Sequence, residues 1–298
     1  GKTKPTKKTH FASLRFASPS LRFASFRFAF ASLRFASLFA SLRFSSLRFS
    51  SLRFSLRSAQ VEKARSSLEY VWSVAGHLNG VQNSDELREK YQESQPAVVS
   101  AFSALGQSKQ IFKALKTIDT SVLETAERRA VESAIRSMEL AGVGLEPSKQ
   151  VRFNEIKARL AELSTKFSNN VLDSTKAFEL TVTDPAKLAG VPSSALGMWA
   201  SSANAEKPDS VNGPFKITLD GPSYVAAMQH VPDRDIRETV YKGFNGRASS
   251  GEHDNVPLIN EILSLRKEMC GILEFDNFAE LSLSKKMAKS AKEVEEVS

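Results

Sequence analysis

Residues 147–176 read PSKQVRFNEIKARLAELSTKFSNNVLDSTK, and apolar side chains recur there at helical spacing. The recurring side chains are Val151, Ile156, Leu160, Leu163, Phe167 and Val171. This spacing predicts one α-helix with an apolar face, opened by Pro147, whose missing N–H needs no partner in a first turn. At 1.5 Å per residue such a helix is about 45 Å long. The segment therefore predicts the central rod of a large helical wall.

Helix boundary signals precede this rod. Residues 61–80 carry a helical apolar pattern, and Ser84 is placed to cap the turn that follows. Pro96 is expected to open the next helix at its first position. Ser121 and Glu124 have the spacing of a capping box before a further helix. The chain before the rod is therefore predicted to consist of successive helices.

After the rod the sequence pattern changes. Residues 178–182 and 215–219 alternate in polarity and contain β-branched residues, which predicts a small antiparallel β pair. Residues 203–213 are expected to form a surface loop. Further helices are predicted to begin at Pro192, Ser223, Asp233, Val256 and Ser290. The helix from Val256 is expected to bury Leu258, Ile259, Ile262, Leu265, Met269 and Ile272. The predicted fold class is mainly α, multi-helical, with one β pair.

Residues 1–60 form a separate low-complexity region. They contain 12 Lys plus Arg, no acidic residue and 11 of the 20 Phe, in a five-residue cycle seen best in residues 45–54. Successive copies of a five-residue repeat point about 140° apart on a helix and to opposite faces of a strand. Neither element gains a consistent apolar face, so residues 1–60 are predicted to be disordered and residues 61–298 to be folded.

The role of this basic tail has three open interpretations. An Arg-rich, Ser-rich and acid-free segment is typical of an organellar transit peptide. A translated tandem repeat without a role explains the same composition. An interfacial membrane anchor would combine Phe, Leu and Arg, but its helix needs a sharper amphipathic pattern. A transit peptide would place the protein in a mitochondrion or chloroplast, and its absence would place the protein in the cytoplasm.

Charge and cysteine content limit the partners of the folded region. The net charge of +8 comes from the tail, because the remaining 41 − 12 = 29 basic residues face 33 acidic ones. No basic stretch interleaved with aromatics is left, so no nucleic-acid partner is predicted. Cys270 is the single cysteine and is expected to be a buried, inert thiol. No apolar run approaches the roughly 20 residues that span a bilayer, so no stable membrane insertion is predicted.

The histidines do not form a zinc motif. A helical zinc site needs two imidazoles one turn apart, with a glutamate following the first as general base. The four histidines are His10, His77, His230 and His253, and none is followed by Glu. His253 lies between Glu252 and Asp254 and is interpreted as part of an exposed polar loop. No catalytic, cofactor-binding or metal-ligating residue is therefore assigned to this chain.

Several motifs in a fixed order nevertheless resemble a known family. They are Asn83–Arg88, Leu105–Lys109, Phe167–Asp173, Leu219–Tyr224, Arg237–Glu238 with Tyr241, Arg247–Ser249, Phe278–Ser282 and Lys286–Ala288. Over residues 62–298 this order resembles the thimet oligopeptidase and oligopeptidase A family, most of all its organellar branch in plants and algae. We expect Arg237, Glu238 and Arg247 to form ion pairs, and Gly221–Ser223 to form a turn and helix cap.

The resemblance implies the N-terminal half of a clam-like, helical peptidase with a deep channel for short peptides. Family members hold zinc with an H-E-x-x-H helix and a downstream Glu, which this sequence does not contain. Zinc and peptide substrates are thus expected for the full-length enzyme, and inactivity for this chain alone. The alternative is a catalytically dead helical module that binds other proteins. The sequence does not indicate an oligomeric state.

Overall fold

A computed structural model describes residues 50–297, which fold mainly into α-helices. The helices before the first strand are α1 (Ser50–Val81), α2 (Asp85–Gly106), α3 (Lys109–Lys116), α4 (Thr125–Leu140) and α5 (Pro147–Ala177). The later elements are β1 (Leu180–Val182), α6 (Ser193–Ala203), β2 (Phe215–Ile217), α7 (Gly221–His230), α8 (Arg234–Asn245), α9 (Val256–Ile272), α10 (Phe278–Leu283) and α11 (Ala291–Val297). Single 3-10 turns cover Thr120–Val122, Pro185–Leu188 and Gly251–His253. The predicted fold class is confirmed.

The rod predicted at residues 147–176 is α5, and α1, α2 and α9 pack along it. Phe153, Ile156 and Leu163 are its buried apolar residues. Val151 is 60% exposed, so its assignment to the apolar face is wrong. Five residues separate Val151 from Ile156, which rotates Val151 about 140° away from the buried side of the helix.

The starts of the early helices agree only in part with the sequence signals. Ser84 caps α2 as predicted, since its Oγ accepts a hydrogen bond from the Leu87 N–H at 3.2 Å. Pro96 does not open a helix but lies inside α2. The neighbouring Gln95 Nε2 donates to Thr165 Oγ1 on α5 at 2.8 Å. Helix α2 therefore continues past Pro96, although the proline removes one of its hydrogen bonds, because the helix is packed along the rod.

The capping box of α4 is displaced from the predicted position. Glu124 is the N-cap, and its side chain and backbone exchange hydrogen bonds with Glu127, whereas Ser121 lies in the preceding 3-10 turn. Ser121 instead donates its hydroxyl to Asp119 Oδ1 at 2.6 Å, three residues before the actual N-cap. Helix α4 ends just before Gly142, whose φ of +87° suits a helix C-terminus. A cluster of Leu115, Met138 and Val143 joins α3 to α4.

The predicted β pair is present and shorter than expected. β1 and β2 are antiparallel, with Leu180 opposite Ile217 and Val182 opposite Phe215. Their inner faces enter the larger hydrophobic core, in which Trp199 of α6 has no exposed surface. This core consists of Val182, Leu188, Val191, Ala195, Trp199, Ala200, Phe215, Ile217, Leu219, Ala227, Val231, Ile236 and Val240. We call residues 178–248 the hairpin module.

The later helices begin near their predicted positions. Pro192 precedes α6, Asp233 caps α8, and Ser290 Oγ accepts from the Glu293 N–H at 3.2 Å at the start of α11. Helix α7 starts at Gly221, and Ser223 is a buried residue inside it rather than its cap. The predicted loop at 203–213 is confirmed from Asn204 onward.

Helix α9 runs antiparallel to α5, and two ion pairs join them. Arg152 pairs with Glu268, with Nε–Oε1 at 2.6 Å and Nη2–Oε2 at 2.8 Å. Arg159 pairs with Glu261 in the same two-bond geometry, at 2.6 and 2.9 Å. The partners lie seven residues apart on both helices, so these arginines and glutamates face each other across one seam.

The buried side of α9 is narrower than the sequence predicts. Leu258 and Cys270 are buried, but Ile259 is 42% exposed and lies outside the interface with α5. Val256, Ile259 and Leu263 lie on a second side of the helix, which is exposed in the first half of α9 and is covered only farther along, at Cys270.

The N-terminal boundary is also different from the predicted one. Helix α1 begins at Ser50, eleven residues before Val61. Residues 50–60 thus belong to α1. The rest of the prediction of disorder for residues 1–60 concerns residues 1–49, which lie outside the described residues. Over the described part of the chain, no helix has both the length and the apolar character needed to cross a membrane.

Candidate functional site

A groove with polar side chains at its base lies between α1, α2 and α5. Its volume is about 580 Å³. Its lining is small or uncharged and includes Gly76, Asn79, Gly80, Tyr91, Gln95, Ala161, Ser164, Thr165, Ser168, Asn169, Val171, Leu172 and Thr175. We call it the amide groove, after the three carboxamide side chains among these residues.

Two buried asparagines connect the walls of the amide groove. Asn79 of α1 and Asn169 of α5 are 8% and 6% exposed, and Asn79 Nδ2 donates to Asn169 Oδ1 at 3.4 Å. Asn83 Nδ2 donates in turn to the Asn79 carbonyl at 2.8 Å and to its Oδ1 at 3.0 Å. Burying a carboxamide is unfavourable unless it is hydrogen-bonded. This network therefore fixes α1 against α5.

An ion pair extends the same network toward α2. The Arg88 guanidinium donates to both Asp173 oxygens, at 2.7 and 2.8 Å, and to Asn83 Oδ1 at 2.8 Å. The hydrogen bond from Arg88 holds the pKa of the Asp173 carboxyl below its usual value, against the opposing effect of burial, and His253 adds a smaller attraction. The pKa of Arg88 is raised for the same reason. Both groups are thus charged near neutral pH.

One side of the groove is aromatic. The rings of Trp72 and Tyr91 stack with centroids 4.2 Å apart and planes at 12°. Burial raises the pKa of the Tyr91 phenol, so this hydroxyl is a neutral hydrogen-bonding group near pH 7. The carboxamides and hydroxyls that line this groove can form hydrogen bonds with a polar chain, but they do not form the nucleophile and base that acyl transfer requires.

The described histidines lie on separate elements. His77 lies on α1, His230 ends α7, and His253 is a half-buried residue of the 3-10 turn Gly251–His253. Within residues 50–297, no three His, Cys, Asp or Glu side chains are grouped so that they could hold a metal ion. His10 lies outside the described residues. The assignment of no catalytic or metal residue to the chain stays a prediction.

The ion pairs expected for Arg237, Glu238 and Arg247 are wrong for two of these three residues. Glu238 does pair with Lys242 in the next turn. Arg237 instead donates to the carbonyls of Val231 and Pro232 at 2.6 and 2.8 Å, where α7 has ended. Carbonyls near a helix C-terminus that have no helical partner can accept hydrogen bonds from an arginine in this way.

The other arginine, Arg247, packs on an aromatic ring. Its guanidinium carbon lies 3.7 Å from the centroid of Phe244, and its Nε donates to the Phe244 carbonyl at 2.8 Å. The expectation that Arg247 forms an ion pair is wrong, because the ring and the carbonyl occupy the guanidinium. Its Nη1 also approaches Thr175 Oγ1 at 3.4 Å, which links the hairpin module to α5.

Ser223 and Cys270 are both structural residues. The Ser223 hydroxyl accepts from Trp199 Nε1 at 2.9 Å and from the Thr218 N–H at 3.0 Å, so it joins α6, α7 and the end of β2. Cys270 is a buried free thiol, as predicted, and burial raises its pKa. Neither residue is exposed to a substrate.

The sequence analysis did not find the groove-forming pairs. Asn79 and Asn169 lie 90 positions apart, and Arg88 and Asp173 lie 85 apart. The motifs Asn83–Arg88 and Phe167–Asp173 contain three of these residues. One sequence signal could have pointed to the Arg88–Asp173 pair. Each of the two motifs contains a charged residue that would need a partner once it is partly buried.

Comparison with known proteins matches most of the described residues. Residues 54–150 match the N-terminal domain of neurolysin and thimet oligopeptidase, and residues 227–298 match peptidase family M3. The amide groove is built from the first match and from α5, which lies between the two.

Individual relatives cover both matches. Organellar oligopeptidase A of Arabidopsis thaliana, described as chloroplastic/mitochondrial, is 43% identical over 242 residues, which are 79% of this chain and 31% of that protein. A probable cytosolic oligopeptidase A of the same plant is 43% identical over 76% of the chain and 34% of its own length. Oligopeptidase A of Escherichia coli is 39% identical over 75% of the chain and 34% of its own length. The chain thus spans about a third of the relatives it matches.

Proposed function

Because the chain belongs to the thimet oligopeptidase and oligopeptidase A family, we propose that it is the N-terminal portion of a zinc-dependent oligopeptidase that hydrolyses short peptides. The observation that carries this proposal is the similarity to three oligopeptidases over both ends of the folded region. The described helices supply a wall and a polar groove, consistent with a part that positions substrate.

The proposal assigns no chemical step to the described residues. Zinc catalysis needs three protein ligands and an open water position on one metal. The described residues do not fit this requirement, because none of their His, Cys, Asp and Glu side chains form such a group. In the proposal, the metal and its general base belong to the two thirds of the family fold that this chain does not match.

The location of the protein is the second part of the proposal. The relatives include a chloroplastic/mitochondrial and a cytosolic oligopeptidase A from one plant. We propose an organelle if the basic tail works as a transit peptide, and the cytoplasm otherwise. Residues 1–60 fused to a fluorescent protein should enter mitochondria or chloroplasts in the first case. A diffuse signal would favour the translated repeat.

Peptide hydrolysis tests the main proposal. The purified chain should not cleave a quenched fluorescent peptide of about ten residues. Mixed with the downstream two thirds of Organellar oligopeptidase A, it should give hydrolysis that a chelator abolishes and zinc restores. The downstream part alone is the control. Chelator-sensitive hydrolysis by the chain alone would contradict the proposal, and a stable but inactive complex would favour the helical interaction module.

A further inference from the structure

We propose that the uncharged outer face of α9 is the surface on which the downstream two thirds of the oligopeptidase fold docks. This outer face consists of the exposed residues Val256, Pro257, Ile259, Asn260, Leu263 and Ser264. The inference rests on the proposed function, because it takes the downstream part of a family member as the partner. The occupant is an apolar surface of that part.

The apolar side chains of the outer face form a stripe. Val256, Ile259 and Leu263 are 49%, 42% and 57% exposed. Their spacing of three and then four residues places them on the same side of the helix. That side is turned away from α5, toward which Glu261 and Glu268 point. Residues 50–297 therefore leave about half of the surface of each of these side chains exposed.

The composition of the outer face differs from that of a helix face adapted to water. The exposed residues of α4 include Glu127, Arg128, Arg129, Glu132 and Arg136. In contrast, the exposed residues between Val256 and Ser264 carry no charge over more than two turns of α9. Helix α9 thus carries apolar residues on its outer side as well as on its core side, and apolar residues around a helix are typical of an element that is covered on more than one side.

The length of the relatives indicates what covers this face. The chain accounts for 31% of Organellar oligopeptidase A, so more than two thirds of that protein lies outside the match. Helix α9 lies inside the segment that matches peptidase family M3. If a second copy of this chain covered the outer face, the unmatched two thirds of the relatives would have no contact with it. We therefore commit to the downstream part rather than to a homodimer.

The test replaces the apolar stripe without changing the helix. Ile259→Gln with Leu263→Gln removes two exposed apolar side chains and keeps good helix formers at both positions. Val211→Gln changes an exposed valine, 74% exposed, in the loop between α6 and β2 and serves as the control away from the outer face. Both variants should keep the thermal midpoint of the parent chain.

Association is measured by light scattering and titration against the downstream two thirds of Organellar oligopeptidase A. We expect a one-to-one complex, an affinity reduced about tenfold or more by the double variant, and no change with Val211→Gln. Equal affinity of the double variant, or no binding of the parent chain, would overturn the proposal. A parent chain that is itself dimeric, and monomeric in the double variant, would assign the face to a second copy and also overturn it.

Peptide hydrolysis is recorded in the same mixtures and separates the two proposals. A complex that depends on Ile259 and Leu263 but cleaves no peptide would support the docking surface and contradict the proposed function. Activity that persists in the double variant at saturating concentration, with weaker binding, supports both.

Discussion

The hairpin module and the long helices around α5 are held together by different interactions. The hairpin module, residues 178–248, surrounds a continuous apolar core in which Trp199, Ile217 and Val240 have no exposed surface. The layer of α1, α2, α5 and α9 also buries Phe153, Ile156 and Leu163, but it adds buried carboxamides and arginine–carboxylate pairs between its helices. We call this second region the helix layer. The comparison suggests a division within one chain: the hairpin module should contribute most to the free energy of unfolding, and the polar pairs of the helix layer should fix how its helices are aligned.

The largest expected effect concerns the hairpin module. Trp199→Ala should lower the free energy of unfolding by about 3–5 kcal/mol, since it empties the centre of the core and leaves the Ser223 hydroxyl without its indole donor. Val211→Ala, at an exposed loop position, should change it by less than about 0.5 kcal/mol. Urea denaturation followed by circular dichroism measures both. A loss below about 1 kcal/mol for Trp199→Ala would remove the proposed difference between the regions.

The next effect concerns the helix layer. Arg88→Ala should cost about 1–2 kcal/mol, because it leaves a partly buried carboxylate and Asn83 Oδ1 without their donors. Arg129→Ala, at an exposed position on α4, is the matched control and should be near neutral. The same denaturation experiment applies. If Arg88→Ala costs as much as Trp199→Ala, then the helix layer is not the weaker region.

A smaller effect is the acid dependence of this pair. The pKa of Asp173 is lower in the folded chain than its usual value. The stabilisation is therefore present above the ordinary carboxyl pKa of about 3.9, and it is lost as the pH falls through the folded value. Asp173→Asn should remove part of the difference in urea midpoint between pH 7 and the acid range. An unchanged difference would show that Asp173 does not contribute to acid sensitivity.

The smallest effect belongs to the exposed pairs between α5 and α9. Arg159→Ala and Glu261→Ala should each destabilise the chain less than Arg88→Ala, because water and salt screen exposed charges. A double-mutant cycle of Arg159→Ala and Glu261→Ala measures the coupling free energy of the pair. This coupling should be smaller in about 1 M salt than in about 0.05 M salt. A coupling unaffected by salt would mean that the pair is better shielded than its exposure indicates.

Local sequence signals predicted the fold better than they predicted the contacts. Ser84, Asp233 and Ser290 cap helices as expected, because a cap depends only on residues three or four positions away. Pro96 was misassigned because packing of α2 along α5 decided its position, and Val151 was misassigned because five residues of helix turn it away from the side of Ile156. The β pair was predicted from polarity alternation, which the sheet requires at each residue.

The candidate site depended on contacts that no short motif specifies. The amide groove arises where Asn79, Arg88, Asn169 and Asp173 meet, and these residues come from three helices. These residues pair because α1 and α2 pack against α5, and no short sequence motif predicts that packing. The sequence resemblance supplied the family, whereas only the structure showed which polar residues face each other.

The paired arginines and glutamates between α5 and α9 also set how the two helices can slide. Their seven-residue spacing corresponds to about 10.5 Å along a helix. A shift of α9 by a few ångströms breaks both two-bond contacts at once, and only a shift by the whole spacing would bring a guanidinium opposite a carboxylate again. The two pairs therefore favour a single longitudinal alignment of α9 on α5, even though each pair adds little to the free energy of unfolding.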